Sequence, residues 1–130
     1  MTITDRPGPE ARYLAYLAEG RFMIQRAVRS GRYVFYPRVA EPGSGDTELE
    51  WVAPAGFGTV YSATTIHPKP PARPRNISII ELDEGPRLLS AVVGIEADDV
   101  TIGRRVEAFV GSEDGAPILL FRPVGGPDPR

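Results

Sequence analysis

The chain has 130 residues, enough for about one domain with one core, and its 42% hydrophobic and 25% charged content is that of an ordinary globular protein. It holds no cysteine and a single histidine, His67, which excludes disulfides, thiolate metal sites, a cysteine nucleophile and histidine pairs. The net charge of −2 conceals a segregation: residues 1–40 carry seven Arg against three acids, residues 67–75 three cations and no acid, and residues 76–130 five Arg against ten acids. A local anion site fits that pattern and a chain-wide nucleic-acid footprint does not.

No apolar run approaches the roughly 20 residues that span a bilayer, and the polar opening MTITDRPGPE has no secretory core, so a cytoplasmic protein is expected. Residues 1–7 read as a loose leader. A helix is predicted over residues 9–19, within a segment 8–20, because Pro9 and Glu10 suit a first turn and Gly20 suits a C-terminal cap. Tyr13, Tyr16 and Leu17 form an apolar stripe, widened by Leu14 and Ala18. Three turns cannot stand alone, so the stripe docks on its own domain or on a partner.

Residues 21–27 and 32–39 read as extended, with Tyr33 and Phe35 on one face, Val34 and Tyr36 on the other, and Pro37 cutting the strand short. Residues 41–46 are a loop. Residues 48–51 alternate as a half-exposed strand whose Trp51 is expected to plug the core. After Pro54 comes a strand over 57–66, with a bulge or curl expected at Gly56 and Gly58. Residues 67–75, HPKPPARPR, hold four prolines and cannot be regular structure.

The clearest signal is NISIIELDEGPRLLSAVVG at residues 76–94: two apolar runs around Asp83-Glu84-Gly85-Pro86 read as a β-hairpin. A short helical turn is predicted over 96–100 with Asp98-Asp99 as its cap, then strands around 106–110 and 117–122 with a turn over 112–115, and a flexible tail over 124–130. Five strands with a helical turn between the third and fourth, in about 70 residues, is the order of an OB-fold barrel. A β-sandwich competes but wants about seven strands. The fold class is therefore mainly β: a barrel over 54–123 preceded by a helix.

Chemistry is sparse. Ser62, Ser78 and Ser90 lie in strands, and His67 opens a proline loop with no adjacent acid, so no nucleophile–base pair is indicated and His67 reads as closing a strand end. Glu81, Asp83 and Glu84 read as solvated turn acids, with a hard-cation site the alternative. Gly56-x-Gly58 has no helix after it and is no dinucleotide fingerprint. The proline loop is the best candidate: Lys69, Arg73 and Arg75 make a semi-rigid positive arm suited to phosphates, or a surface loop kept soluble by charge.

The runs GxGTVYSxTTIHP (56–68) and IxELDEGPRLLS (79–90), with Ile102-Gly103-Arg104-Arg105-Val106 and Leu120-Phe121-Arg122-Pro123, resemble the acyl-CoA-associated OB-fold proteins called domain-of-unknown-function family 35, over residues 13–123. That family carries a rubredoxin-like zinc ribbon before the barrel. The resemblance places its four ligands on Ala27, Ser30, Ala40 and Gly43, none able to bind zinc, so residues 21–53 are expected to be a degenerate, metal-free ribbon.

The resemblance further implies a non-catalytic accessory or scaffold subunit of a hetero-oligomer. Its partner would be a thiolase-like enzyme (condensing enzyme, thiolase or lipid-transfer-type aldolase) acting on CoA thioesters, or a hotdog-fold enoyl-CoA hydratase. Tyr13, Tyr16, Leu17, Tyr33 and Phe35 would meet the partner, and Lys69, Arg73 and Arg75 would contact CoA phosphates. No tightly bound cofactor and no zinc is expected. A single-stranded nucleic-acid binder is the alternative for a lone OB-fold, against which stands the acidic barrel segment.

Overall fold

The structure, a computed structural model, describes residues 8–125; the predicted leader and residues 126–130 of the predicted tail lie outside them. Helix α1 (Pro9–Ala18) starts from an extended Gly8 with Pro9 at its first position and Glu10 in the first turn. Gly20, at φ +79°, ends it: the Gly20 N–H donates to Leu17 O and the Arg21 N–H to Tyr16 O, which satisfies carbonyls the helix leaves open.

A small antiparallel sheet follows, in the order β2-β1-β3, from β1 (Ile24–Ala27), β2 (Tyr33–Val34) and β3 (Leu49–Val52). The strand predicted over residues 32–39 is cut to two residues. Gln25 is the reason: its buried side chain accepts from the Arg38 N–H at 2.6 Å and donates to Arg38 O at 2.8 Å, so the chain bends away from the ladder. Side-chain alternation lapses with the strand. Phe35 and Tyr36, expected on opposite faces, both lie against the ring of Tyr13, at 5.5 and 5.9 Å.

The larger sheet is the OB-fold barrel. Strands β4 (Phe57–Ile66), β5 (Arg75–Leu82), β6 (Arg87–Ser90), β7 (Arg105–Glu113) and β8 (Ala116–Pro123) run antiparallel in the order β6-β5-β4-β7-β8. A 3-10 turn (Ala97–Asp99) sits between the third and fourth. The chain beyond β6 then meets β8 through a parallel Val92–Phe121 bridge. The Phe121 N–H donates to Ala91 O at 3.0 Å and the Val93 N–H to Phe121 O at 2.8 Å, closing the sheet on itself.

Details differ from expectation. The bulge of β4 falls between Val60 and Ser62, not at the glycines. Gly58 instead permits close approach: a Cβ there would lie 2.8 Å from Glu81 O and from Ile80 Cγ2. The β7–β8 turn tightens to Asp114-Gly115, both at positive φ, as a two-residue hairpin connection requires. Asp98 and Asp99 lie inside the 3-10 turn, whose N-cap is Glu96, so they do not cap it.

One core runs through all parts. Ile80, Leu82, Val60, Val92, Val106 and Phe121 fill the barrel, and Tyr13, Leu17 and Ile24 join them from α1 and β1. Helix α1 is thus docked on its own barrel. Trp51 is half-buried at the seam, 5.4 Å from Tyr16 and 5.5 Å from the Arg12 guanidinium. No helix among the described residues is long and apolar enough to cross a membrane.

Candidate functional site

The aromatic set expected to face a partner is turned mostly inward. Tyr13 and Leu17 are only 6% and 3% exposed, Tyr16 packs on Trp51, and Phe35 packs on Tyr13. Tyr33 is half-buried beneath the Arg26 guanidinium. A ten-residue helix cannot persist in water without burying its stripe, and the barrel lies next to it. These rings weld α1 to the small sheet; Tyr13 and Leu17 offer no surface to a partner.

Three of the exposed large apolar side chains stand beside them: Leu14 at 46%, Tyr36 at 43% and Leu89 at 70%. They rim an open groove of about 590 Å³ between α1, the end of β2, β6 and β8, walled by Tyr13, Leu17, Phe35, Leu88, Leu119 and Leu120. Sequence reading missed Leu89 because residues 88–93 read as one apolar run. Strand period was the available signal: Leu88 is buried, so Leu89 must face out. The groove's polar side chains are largely engaged. The Ser90 hydroxyl donates to Leu119 O at 3.0 Å, and Arg87 donates to Glu81 at 3.2 Å while stacking 3.8 Å over Tyr61. Burial, followed by the nearby Tyr36, pushes the Tyr13 phenol up to about 12, so it stays neutral.

A second groove of about 470 Å³ continues from the first, since Ala91, Glu113 and Leu120 line both. Arg75 and Pro74 are among the residues that line it. Of the predicted cationic arm, Arg75 lines this groove; Lys69 and Arg73 stand exposed on the proline loop. Among the described residues none of the three enters an ion pair. His67 is exposed. Asn76, buried at the start of β5, accepts from the Val92 N–H and the Ser78 hydroxyl and donates to Val92 O, a clamp on the barrel closure.

The hairpin acids are not simply solvated. Asp83 takes both nitrogens of Arg105 at 2.7 and 2.9 Å, and those bonds hold its carboxyl below the usual range. Glu84 accepts from the Ala55 N–H at 2.8 Å, and Glu81 pairs with Arg87. Asp83 and Glu84 tie the hairpin to β7 and to the segment before β4, while Glu81 and Arg87 pair across its two strands.

In the small sheet two turns repeat one geometry. The Gly31 N–H donates to Ala27 O, the Gly45 N–H donates to Glu41 O, and both glycines have φ near +75°. Glu41, 5% exposed, accepts the Ser30 and Ser44 hydroxyls, each at 2.6 Å, and these bonds lower its pKa. The second turn is closed by the carbonyl of Glu41 and carries Ser44, each one residue after Ala40 and Gly43, the positions the resemblance implies. Among the described residues no group of three or more His, Cys, Asp or Glu is placed to hold a metal.

Residues 51–110 match the family model of the ChsH2 C-terminal OB-fold domain. A probable enoyl-CoA hydratase alpha subunit of Thermomonospora curvata is 33% identical over 108 residues, covering 80% of this chain and 34% of the relative. A DUF35 domain-containing scaffold protein of Methanocaldococcus jannaschii is 39% identical over 75 residues, covering 53% of each. A scaffold protein of the same description from Pyrococcus furiosus is 25% identical over 130 residues, covering 92% of this chain and 96% of the relative. The chain thus spans about a third of the first relative and about half of the second. A solved structure titled Ltp2-ChsH2(DUF35) aldolase superposes with a TM-score of 0.78 at 29% identity, over 92% of this chain and 99% of the matched one.

Proposed function

Because the chain belongs to the domain-of-unknown-function-35 family of OB-fold proteins, we propose that it is a non-catalytic accessory subunit, acting in the cytoplasm, of an enzyme that works on CoA thioesters. The observation that carries this reading is the apolar rim of Leu14, Tyr36 and Leu89 around an open groove on the family's own scaffold. Large apolar side chains gathered at one concave place mark an interaction surface, whereas scattered ones do not. The relatives' names point the same way: two are called scaffold proteins, one is a hydratase subunit and one an aldolase assembly.

A thiolase-like enzyme, such as a lipid-transfer-type aldolase, is the partner this reading favours, on the likeness to the aldolase assembly. Phe35 lines the groove behind this rim, Tyr16 and Tyr33 pack beside it against Trp51 and Arg26, and Arg75, in the wall of the adjoining groove, would contact CoA phosphates together with Lys69 and Arg73. The paired turns at Ala27 and Glu41 support reading residues 21–53 as a ribbon held by a Ser30–Glu41–Ser44 clasp in place of zinc. No tightly bound cofactor belongs to this reading.

The test is co-expression with a thiolase-like enzyme of the same genome, followed by size exclusion. One co-eluting complex is expected. Two stable, separately eluting proteins with a fully active enzyme would sink the reading.

A further inference from the structure

We propose that Lys69 is a self-acylation site, whose amine takes the acyl group of an acyl phosphate held by Arg73 and Arg75. The proposal stands on the proline loop alone and is independent of the accessory-subunit reading. Lys69 is the one lysine among the chain's fifteen Lys and Arg. A guanidinium keeps its charge, whereas an amine that sheds its proton attacks carbonyl groups. The chain thus carries a single amine side chain, and it stands exposed.

The loop sets that amine beside two anion-binding groups. Residues 67–75 hold three cations and no acid, all three cations are exposed, and among the described residues none of them enters an ion pair. The Ala72 N–H donates to Lys69 O at 3.2 Å. That bond closes a turn in which the first and fourth Cα atoms lie within about 7 Å, and Arg73 follows directly. Prolines at 68, 70, 71 and 74 stiffen the segment, so little entropy is lost in holding the cations together. A guanidinium takes a phosphate through two parallel N–H bonds. In an acyl phosphate the carbonyl carbon is one oxygen away from phosphorus, so a phosphate seated on Arg73 brings the carbonyl toward Lys69. In a CoA thioester a pantetheine arm separates the phosphates from the carbonyl, and the same seat gives no such placement.

The step balances without a further reagent. The neutral Nζ attacks the carbonyl carbon, a C–N bond forms, and the bond from that carbon to the phosphate oxygen breaks. Inorganic phosphate leaves with the electron pair, and the proton lost by the amine passes to water. The guanidinium groups meet the charge that gathers on the departing phosphate. The product is an uncharged amide, so the loop loses one of its three cations and holds anions less firmly.

The experiment incubates the full chain with acetyl phosphate at neutral pH, with Nα-acetyl-lysine amide in the same tube as reference amine, and follows both by mass spectrometry. Lys69 is expected to acetylate about tenfold faster than the reference, because clustered positive charge concentrates the anionic donor, and the advantage should shrink as salt rises. Arg73→Gln and Arg75→Gln together should return Lys69 to the reference rate. Lys69→Arg should leave only the amino terminus modified. A Lys69 rate equal to the reference overturns the proposal, as does an advantage that survives the double variant or ignores salt. Acetyl-CoA runs as a second donor, and an equal advantage with it would overturn the acyl phosphate as the donor. No partner enzyme is in the tube, so every outcome leaves the accessory-subunit reading where it stood.

Discussion

Asn76 satisfies both main-chain groups of Val92 with one side chain, from a position where water does not reach. Asn76→Ala should cost about 1–3 kcal/mol for each group left unpaired, measured by chemical denaturation. Asn76→Asp retains the shape but loses the donor toward Val92 O when ionised, so its deficit should shrink as pH falls and the new acid protonates; a deficit independent of pH would refute the clamp. The Glu41 clasp works in the opposite sense. Its folded pKa lies below the ordinary carboxylate value, so its stabilisation is complete above that value and is lost as pH falls through the lowered one. Ser30→Ala and Ser44→Ala should each raise the Glu41 midpoint in a carboxyl NMR titration; a midpoint that stays put would refute it. Neither residue was legible in the sequence as a functional part. An Asn at a strand start and a Glu in a Pro-Gly loop are common, and their roles depend on segments brought near only by the fold.

At the scale of elements, local chemistry was the better guide. The bounds of α1, the whole of β4 and the Asp83–Pro86 turn follow from Pro9, Gly20, a β-branched run and a Gly-Pro pair, all acting within a few residues. β2 was over-read because the Gln25 bonds to Arg38 that break it join residues thirteen apart. Gly58 shows the same limit: its reason is the approach of β5, which no neighbouring residue announces. Gly58→Ala should destabilise the barrel by about 1–3 kcal/mol in denaturant titration, because the added methyl meets backbone and cannot be relieved by a side-chain rotation. A neutral effect would show that β4 and β5 can part without loss.

For the whole molecule, barrel topology was readable from strand count, but the face that meets the outside was not. The Tyr13 stripe, which could have docked on its own domain or on a partner, buries Tyr13 and Leu17 in the core, and Leu14, Tyr36 and Leu89 stand exposed beside it. Leu14→Arg should change stability by no more than about 0.5 kcal/mol, since the side chain is already half in water, yet weaken association with the partner enzyme in size exclusion. Undiminished association would move the interface elsewhere. The closure beside that face has a kinetic consequence. Between β6 and β8 the barrel is held, among the described residues, by the main-chain bonds at Ala91, Val93 and Phe121 and by the Ser90 hydroxyl on Leu119 O, while β4 and β5 share a ladder from Gly58 to Ile66. Amide protons of Val93 and Phe121 should therefore exchange with deuterium before that of Ile80 does, marking a hinged stave where the barrel breathes. Whatever settles into the adjoining groove should slow those two amides first, making them a built-in gauge of occupancy.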